Sequence, residues 1–280
     1  MDKSLPAGTG LSFIGCGVMA ESMIAGLLRE KIVSPKQIAA SHPRSERRAD
    51  LKKRFGIKLF ADNAAAAKAF KGSDSTILLC VKPQRMNGVL KELAGKATSE
   101  QLVISIVAGT TIDTIADTLD TALVVRAMPN TPAQIGAGMT AWTCSGGVDG
   151  DHKRKVKILL SALGKELFVE TENMIDMATS LSATGPTYTF MVMEAMTDAG
   201  VHLGFSREVS KELVLQTMLG SVLFAMESHK HPAELRNMVT SPGGTSAEAI
   251  YQMEKGALRT VLSKAIYGAY RRAVELGKTK

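Results

Sequence analysis

Cysteine, aromatic side chains and long apolar runs are scarce in this chain of 280 residues. The three cysteines are widely spaced, and aromatic residues make up 5% of the chain. Widely separated cysteines argue against a disulfide framework and against a paired-cysteine metal motif. So few aromatic side chains leave no stacking platform for bases, and we therefore expect no nucleic-acid partner despite the net charge of +7.

No apolar run approaches the roughly 20 residues that a membrane span requires. The first ten residues contain Asp2 and Lys3 and do not resemble a secretory signal. The five histidines are scattered, so no metal site is expected. Together these absences predict a cytoplasmic protein, in a reducing compartment, with no membrane partner.

Short apolar segments alternate with helical segments in the first part of the chain. The predicted strands are 11–14, 37–41, 76–81, 102–106, 123–127, 138–144 and 166–169. The predicted crossover helices are 19–28, 45–55, 63–70, 86–93, 112–119 and 152–163. Such alternation predicts an α/β fold with a doubly wound, mainly parallel sheet that helices cover on both faces.

The strand patterns end near residue 171, and helical patterns rich in Met and Leu continue to the C-terminus. We therefore predict two domains, residues 1–171 for nucleotide binding and residues 172–280 as an all-helical domain. The helix that Ser206 can cap, which runs to Met226, has apolar residues on more than one face. Such a helix is buried on several sides, either by its own chain or by a partner subunit.

A glycine turn stands almost at the start of the chain, where residues 13–20 read FIGCGVMA. In this G-x-G-x-x-A pattern, Gly15 permits a tight turn, Gly17 lets the backbone approach a pyrophosphate, and Ala20 lets the helix pack closely on the sheet. The free N–H groups of the helix N-terminus then bind the anion. The turn predicts a dinucleotide cofactor and a Rossmann-type sheet.

The segment after the second predicted strand favours NADPH over NADH. It reads Ser41-His42-Pro43-Arg44-Ser45 and has no acidic residue to accept the ribose hydroxyls of NAD. A hydroxyl and a guanidinium can instead hold a 2′-phosphate, which makes Ser41 and Arg44 candidate ligands. Arg47 and Arg48 are further candidates, or they belong to a solvated helix face.

Three other strand ends carry candidate cofactor contacts. Lys82 follows a buried strand and is either a phosphate or ribose contact or a surface charge. Val107, Ala108 and Gly109 are small enough to leave room for a nicotinamide ring. Asn130 lies in a loop between two prolines, where its amide either meets the cofactor or holds the loop.

Six motifs in this order, spread over nearly the whole chain, resemble the pyrroline-5-carboxylate reductases. They are FIGCGVMA, CVKP, IVAG, MPNTP, SLSATGPTYTF and VTSPGGTSAEAI. The resemblance implies a Rossmann domain, a helical second domain, an interlocked homodimer that often builds a decamer, and NAD(P)H-dependent reduction of 1-pyrroline-5-carboxylate to proline, the last step of proline biosynthesis.

The resemblance also implies the site residues. Cofactor contacts would be Ile14, Gly15, Cys16, Gly17, Val18, Met19, Ser41, Asn63, Cys80, Val81, Lys82 and Pro83. The substrate carboxylate would lie against Ser241, Pro242, Gly243, Gly244, Thr245 and Ser246. Two departures from the family pattern are Ala183 to Thr187, where Gly-Ser-Gly-Pro-Ala is usual, and Ser246, where Thr is usual.

The residues of the second loop suit reduction of a cyclic imine. Backbone N–H groups after Gly243 and Gly244 can bind a carboxylate at a helix N-terminus, or the loop is an ordinary capped turn. The Ser246 hydroxyl can donate to the ring nitrogen as its pKa rises during reduction, which makes Ser246 the predicted catalytic residue. Glu172 either meets the cofactor or substrate, as the resemblance suggests, or is an exposed linker acid.

Two other functions remain open from the sequence. The first is a β-hydroxyacid-type NADP oxidoreductase, which would need a Lys soon after the glycine turn at Gly185; none occurs before Lys211. The second is a non-catalytic NADPH-binding oligomeric protein, which the altered segment Ala183 to Thr187 would explain.

Overall fold

The computed structural model describes residues 5–6, 8–72 and 74–278. They form two compact units. The first comprises the chain up to Thr184 together with the last turns from Ala269, and the second comprises Gly185–Gly268.

The first unit contains one sheet and the helices that cover it. Its strands are β1 (Gly10–Ile14), β2 (Ile38–Ser41), β3 (Lys58–Phe60), β4 (Ser75–Leu79), β5 (Leu102–Ser105), β6 (Val124–Met128), β7 (Gly138–Cys144) and β8 (Gly164–Phe168). Its helices are α1 (Val18–Arg29), α2 (Ser45–Phe55), α3 (Asn63–Ala67), α4 (Met86–Leu93), α5 (Ile112–Leu119), α6 (Gly150–Ser161) and α7 (Glu172–Ala178). A π-helical turn, Thr179–Ala183, follows α7.

The strands lie in the order β3-β2-β1-β4-β5-β6-β7-β8. All neighbouring pairs are parallel except β6 and β7. The strand order reverses at β1, whose neighbours are β2 and β4, and ligands of such sheets bind in the crevice beside the carboxyl ends at this point. The predicted doubly wound, mainly parallel sheet is therefore confirmed.

Alternate residues along the central strands point into two different apolar layers. Leu78 of β4 lies in the layer that contains Phe13 and Trp142, whereas its neighbours Ile77 and Leu79 lie in the layer that contains Val103. All six side chains are fully buried. Helices cover both faces, as the continuous apolar character of these strands requires.

Two elements of this unit differ from the sequence prediction. Strand β3 was not predicted, because it is a three-residue edge strand whose side chains stay half-buried or exposed and show no apolar run. Helix α3 ends at Ala67 rather than at residue 70, since Lys68 already forms its C-cap.

The second unit is all-helical, as expected. Its helices are α8 (Gly185–His202), α9 (Arg207–Ser228), α10 (Pro232–Met238), α11 (Thr245–Lys255) and the first part of α12 (Leu258–Lys278). Ser206 caps α9 through a hydrogen bond from the backbone N–H of Val209 (3.2 Å), as predicted. Helices α8 and α9 approach closely at Gly200, where a Cβ would lie 2.7 Å from Ser210 Oγ.

Large apolar side chains on α8 and α9 are exposed in the single chain. They include Phe190, Met191, Met196, Val209, Leu213, Leu215, Leu219, Val222, Leu223, Phe224 and Met226. Contiguous exposed apolar surface of this kind is typical of an interface. The prediction that α9 is apolar on several faces agrees with this exposure.

One helix among the described residues, α9, is long and apolar enough to cross a membrane by length and composition: it has 22 residues, and an 18-residue window within it has a mean hydropathy of 1.3. The sequence had suggested no run of this length. A single match is weak evidence, since core helices of other proteins pass the same test.

The two compact units divide the chain differently from the predicted boundary after residue 171. Helix α7 groups with the first unit because Ile175 is fully buried in an apolar cluster with Met128, Ala141 and Val169. The end of α12 also groups with the first unit, where Ala273 is buried.

Candidate active site

The glycine turn after β1 has the backbone geometry that its sequence predicts. Gly15 has a φ of +85°, in the left-handed region that glycine tolerates. A Cβ at Gly15 would lie 2.5 Å from Cγ1 of Val81, so the turn fits closely against the end of β4. The backbone N–H of Gly15 donates to Ser41 Oγ at 2.9 Å. The turn is therefore fixed by its own sheet.

Helix α1 begins at this turn without a side-chain cap. Gly17 is its N-cap residue, and a Cβ built there would have no neighbour within 4 Å. Val18 is 63% exposed, whereas Ala20 is fully buried against the sheet. The first N–H groups of a helix have no partner within the helix, so this end offers an open anion site.

Ser41 and Asn63 form a chain of hydrogen bonds beneath the turn. Ser41 Oγ donates to Asn63 Oδ1 (2.7 Å), and Asn63 Nδ2 donates to Glu92 Oε2 (2.6 Å). Ser41 is fully buried. These contacts give both residues a role in shaping the turn, and a direct contact of either with a cofactor stays a prediction.

The three candidate arginines have different surroundings. Arg47 pairs with Glu21 and with Asp50. Arg48 donates from Nη1 to the carbonyl oxygens of His42 and Pro43, at 2.8 and 2.7 Å. Arg44 is exposed, and its guanidinium has no hydrogen-bond or ion-pair partner within the described part of the chain. Among these three, Arg44 is thus the one still available to a phosphate.

His42 lies in the same loop and accepts a hydrogen bond at Nδ1 from the backbone N–H of Arg44 (3.2 Å). Partial burial lowers the pKa of the imidazole below its ordinary value, and the charges of Arg44, Arg47 and Arg48 lower it further. The bonded, neutral ring therefore helps to hold the loop at the N-terminus of α2.

Cys16 and Cys80 line the turn as apolar groups rather than as nucleophiles. Burial raises the pKa of the Cys16 thiol to about 12, with a smaller contribution from Glu21. Burial raises the pKa of Cys80 as well. A thiol that stays protonated is a poor nucleophile.

The ends of β4 and β5 reach the same edge of the sheet. Lys82 and Pro83 are exposed after β4, and the Lys82 ammonium has no partner within the described ranges. After β5, Gly109 has a φ of +76°, and a Cβ there would lie 2.8 Å from the carbonyl of Leu276 near the end of α12. Ala108 packs against the apolar cluster that contains Ile175.

Both ends of the Asn130 amide are hydrogen-bonded, one to strand β7 and the other to the π-helical turn after α7. Its Oδ1 accepts from the backbone N–H of Met139 (2.9 Å), and its Nδ2 donates to the carbonyl of Ser182 (3.3 Å). These contacts favour the loop-holding interpretation, and the cofactor contact stays a prediction.

Glu172 is not the exposed linker acid that the sequence suggested. Its side chain is 28% exposed, and its Oε1 accepts from Arg126 Nη1 and from the backbone N–H of Ile112, both at 2.9 Å. Arg126, on β6, also donates to Asp176 (2.6 Å) and is 2% exposed. The sequence reasoning missed Arg126, although an arginine inside an apolar strand is a signal that it needs buried acidic partners.

The altered segment Ala183 to Thr187 fits its surroundings. The Thr184 hydroxyl donates to the carbonyl of Thr179 (2.9 Å) within the π-helical turn. Ala183 packs against the cluster around Ile175. The methyl groups added at Ala183 and Thr184 are therefore accommodated locally.

The second predicted loop, in the other unit, also ends at an uncapped helix. Gly243 has a φ of +68°, and Gly244 is the N-cap residue of α11 without a side-chain cap. The N–H of Gly244 donates to the carbonyl of Ser241 (3.1 Å), which closes the turn. Ser246 is the second residue of α11 and is half-buried. The start of α11 thus offers free N–H groups beside a hydroxyl.

No group of three or more His, Cys, Asp or Glu side chains is arranged to hold a metal ion in the described ranges. The start of α1 and the loops beside it offer N–H, guanidinium and ammonium groups, and the start of α11 offers N–H and hydroxyl groups, all of which suit anions. The chemistry of both surfaces is therefore that of anion binding.

Comparison with known proteins identifies the family. Residues 172–276 match a family model described as pyrroline-5-carboxylate reductase dimerisation, and residues 10–109 match one described as NADP oxidoreductase, coenzyme F420-dependent. A pyrroline-5-carboxylate reductase from Synechocystis is 41% identical over 96% of this chain and 98% of its own. The chain belongs to the pyrroline-5-carboxylate reductase family.

Solved structures of this family share the whole fold. The reductase from Coxiella burnetii is 35% identical, with a TM-score of 0.86 over 97% of this chain and 100% of its own. The Plasmodium falciparum enzyme, solved with NADP bound, is 28% identical, with a TM-score of 0.87 over 97% of this chain and 99% of its own.

These findings confirm the predicted activity class: the chain is an NAD(P)H-dependent oxidoreductase that acts on a CH–NH bond, in proline biosynthesis. They also confirm NADP as its cofactor type. The match to a dimerisation region agrees with the exposed apolar faces of α8 and α9 and supports oligomerisation.

Proposed function

We propose that the two uncapped helix starts divide the binding of the reactants in this reductase, with the pyrophosphate of NADPH at α1 and the carboxylate of 1-pyrroline-5-carboxylate at α11. The observation that carries the proposal is the shared geometry of the two starts. Each has a glycine N-cap in extended conformation (Gly17 φ −83°, Gly244 φ −81°) and no side-chain cap. Each start therefore leaves N–H groups for an anion.

The first unit fits a dinucleotide phosphate. The space above Gly17 is open, which lets a pyrophosphate approach the backbone. Arg44 offers an unpaired guanidinium for a 2′-phosphate, which favours NADPH over NADH, and Lys82 offers a further positive charge. The loop at Ala108 and Gly109 would face the nicotinamide. When bound, the cofactor supplies the hydride.

The second unit holds and protonates the substrate. The first N–H groups of α11 orient the carboxylate, and the closed turn at Ser241 keeps them in place. The Ser246 hydroxyl donates to the ring nitrogen, whose pKa rises as the imine becomes the amine of L-proline. Ser246 thus has the role that a threonine hydroxyl has in the usual family pattern.

A turnover assay with a matched pair of variants tests this division. Purified protein mixed with NADPH and racemic pyrroline-5-carboxylate should lose absorbance at the reduced nicotinamide band. The change Ser246→Ala should lower kcat about 100-fold and leave the Kd of NADPH within threefold of wild type, since a positioned proton donor typically contributes 10²–10⁴. The control Ser246→Thr keeps the hydroxyl and should retain most activity.

Three outcomes would count against the proposal. Tight NADPH binding without turnover would favour the non-catalytic protein. Turnover of 3-hydroxy acids would favour a β-hydroxyacid-type NADP oxidoreductase. Equal losses in kcat and NADPH binding for Ser246→Ala would remove Ser246 from the proposed role.

We further propose that the enzyme is a cytoplasmic homodimer that assembles into a decamer and has no membrane or nucleic-acid partner. The exposed apolar faces of α8 and α9 support the dimer, and the three free cysteines agree with a reducing compartment. Light scattering after gel filtration should give ten times the chain mass. A mass of only twice the chain mass would support the dimer and contradict the decamer. Cell fractionation tests the compartment.

A further inference from the structure

Arg126 on β6 is a nearly buried cation that binds two carboxylates of α7. Its Nη1 donates to Glu172 Oε1 at 2.9 Å and its Nη2 to Asp176 Oδ1 at 2.6 Å. A charge that is 2% exposed needs such partners, because it has lost its water. The two ion pairs therefore fix α7 against β6.

Glu172 makes a further contact. The backbone N–H of Ile112, the first residue of α5, donates to its Oε1 at 2.9 Å. A carboxylate at a helix N-terminus satisfies a free N–H group and interacts favourably with the helix dipole. Among the described residues, no corresponding backbone contact is seen for Asp176, so the two carboxylates differ in this one respect.

Helix α5 begins directly after the loop 107–111, and this loop is held from two sides. Ala108 packs against the apolar cluster that contains Ile175 of α7. Gly109 faces the carbonyl of Leu276, near the end of α12. Tyr270 of α12 in turn donates to Asn173 Oδ1, beside Glu172, at 3.0 Å.

The geometry points to Glu172 as a positioning residue for hydride transfer. By fixing the first residue of α5, it sets the position of the loop at Ala108 and Gly109 against the nicotinamide, and so the distance that the hydride crosses. This inference rests on the proposed placement of the nicotinamide at that loop. A misplacement of about 1 Å in such a support costs on the order of 100-fold in rate.

The test compares Glu172→Ala with Asp176→Ala. Both changes leave Arg126 with one carboxylate, and Glu172→Ala alone removes the acceptor of the Ile112 N–H group. Glu172→Gln restores an acceptor oxygen without the charge. Each variant is measured for Tm, for kcat and both KM values, and for the kinetic isotope effect with NADPH deuterated at the transferred position.

We expect Glu172→Ala to lower kcat by about 30- to 100-fold, with the substrate KM within threefold and a larger isotope effect on kcat, because hydride transfer itself slows. Asp176→Ala should lower Tm to a similar extent and keep kcat within threefold. Glu172→Gln should recover most of the lost kcat, which a purely structural role of the ion pair would not produce.

Equal kcat values for Glu172→Ala and Asp176→Ala, or a Glu172→Gln variant as slow as Glu172→Ala, would overturn the inference. If Glu172→Ala does not fold, Glu172→Asp takes its place, since it keeps the charge and shortens the reach to Ile112; an unchanged kcat and isotope effect would then overturn it. Failure of the proposed function is distinct, because wild-type protein itself would not turn over.

Discussion

Helices α1 and α11 both begin at a glycine N-cap without a side-chain cap, and they lie in different surroundings. Each follows a glycine in the left-handed region (Gly15 φ +85°, Gly243 φ +68°) and has a glycine N-cap. At Gly15, Val81 leaves no room for a Cβ, whereas a Cβ at Gly243 would have no neighbour within 4 Å. Two turns with the same anion-binding chemistry therefore differ in how firmly their own chain holds them.

This difference bears on the proposed division of the two reactants between α1 and α11. The turn at α1 is braced by Ser41 and by the end of β4, so it is ready for the cofactor before any ligand arrives. At α11, residues 241–243 are exposed in the single chain. We therefore expect substitutions at α1 to act on both stability and NADPH affinity, and substitutions at α11 to act mainly on substrate kinetics.

The largest expected effect comes from placing a carboxylate in the first anion site. Gly17→Asp fits the observed φ of −83° and the open space, and Asp is a good N-cap residue, so α1 should remain folded. Two unit charges about 4 Å apart repel by about 4 kcal/mol near a protein surface, which corresponds to roughly a 1000-fold rise in the Kd of NADPH. Calorimetric titration measures it.

The control for this variant is Gly17→Asn, which caps the helix equally well without a charge. It should weaken NADPH binding much less than Gly17→Asp. Similar affinities for the two variants would show that the charge at this helix start is irrelevant to the cofactor.

The corresponding change in the second site is Gly244→Asp. Its Cβ would meet the Ser241 hydroxyl, a side chain that can rotate away, and would lie 3.2 Å from the Ser241 carbonyl oxygen, which a small shift of the turn can relieve. The added carboxylate should lower kcat/KM for pyrroline-5-carboxylate about 100-fold, because it competes for the N–H groups that we propose bind the substrate, and it should leave the Kd of NADPH within threefold. Steady-state kinetics beside NADPH titration separate the two effects.

Gly244→Asn is the uncharged partner of this variant and should retain most of kcat/KM. If Gly244→Asp instead weakened NADPH binding as strongly as substrate turnover, the proposed division between α1 and α11 would be wrong.

Substitutions of the two glycines in the left-handed region, Gly15 and Gly243, compare how firmly the two turns are held through their effect on the free energy of unfolding. Gly15→Ala adds backbone strain and a contact with Val81, and should lower the free energy of unfolding by about 3 kcal/mol. Gly243→Ala adds strain without that contact and should cost about 1 kcal/mol. Denaturant unfolding of both variants measures the difference, and equal losses would mean that the first turn is not braced more firmly than the second.

Arg44 tests the specificity of the first site. Removing its guanidinium in Arg44→Ala should reduce the preference for NADPH over NADH about tenfold, because a charge-assisted hydrogen bond contributes about 1.5–3 kcal/mol. The comparison variant Arg47→Ala removes a guanidinium already paired with Glu21 and Asp50 and should leave the preference nearly unchanged. An unaltered ratio in Arg44→Ala would remove this residue from the site.

The smallest expected effect concerns pH. The pKa of His42 lies below its ordinary value of 6.5, so the folded chain binds fewer protons there than the unfolded chain. Stability from this residue is present above pH 6.5 and is lost as the pH falls through the lowered pKa. Wild-type Tm should therefore fall more between pH 7 and pH 5 than that of His42→Gln, and parallel curves would contradict this.

The sequence predicted most of the first unit, because its apolar periods and turn glycines follow directly from the packing of a doubly wound sheet. The helix of residues 86–93, for example, lies where its apolar spacing predicts. The edge strand β3 was not predicted, since three residues without a buried face carry no periodic signal. The packing of α7 on the first unit was not predicted, because the cluster around Ile175 joins residues distant in sequence, and the domain boundary after residue 171 stays a prediction.

For the candidate site, local chemistry was predictable and long-range contacts were not. The turn at Gly15 and the loop at Gly243 are short motifs, and both have the backbone that their residues imply. Arg126 and Glu172 lie 46 residues apart in the sequence, so no local pattern predicts their ion pair. The unpaired state of the Arg44 guanidinium likewise depends on the folded structure, in which the acidic residue Glu21 pairs with the neighbouring Arg47.

The most direct test of anion binding at α11 compares pyrroline-5-carboxylate with 1-pyrroline, which lacks the carboxylate, in wild-type enzyme and in Gly244→Asp. The account predicts a wild-type kcat/KM at least about 100-fold higher for the carboxylated imine, and a much smaller ratio in the variant. Equal kcat/KM values for the two imines in wild-type enzyme would contradict it.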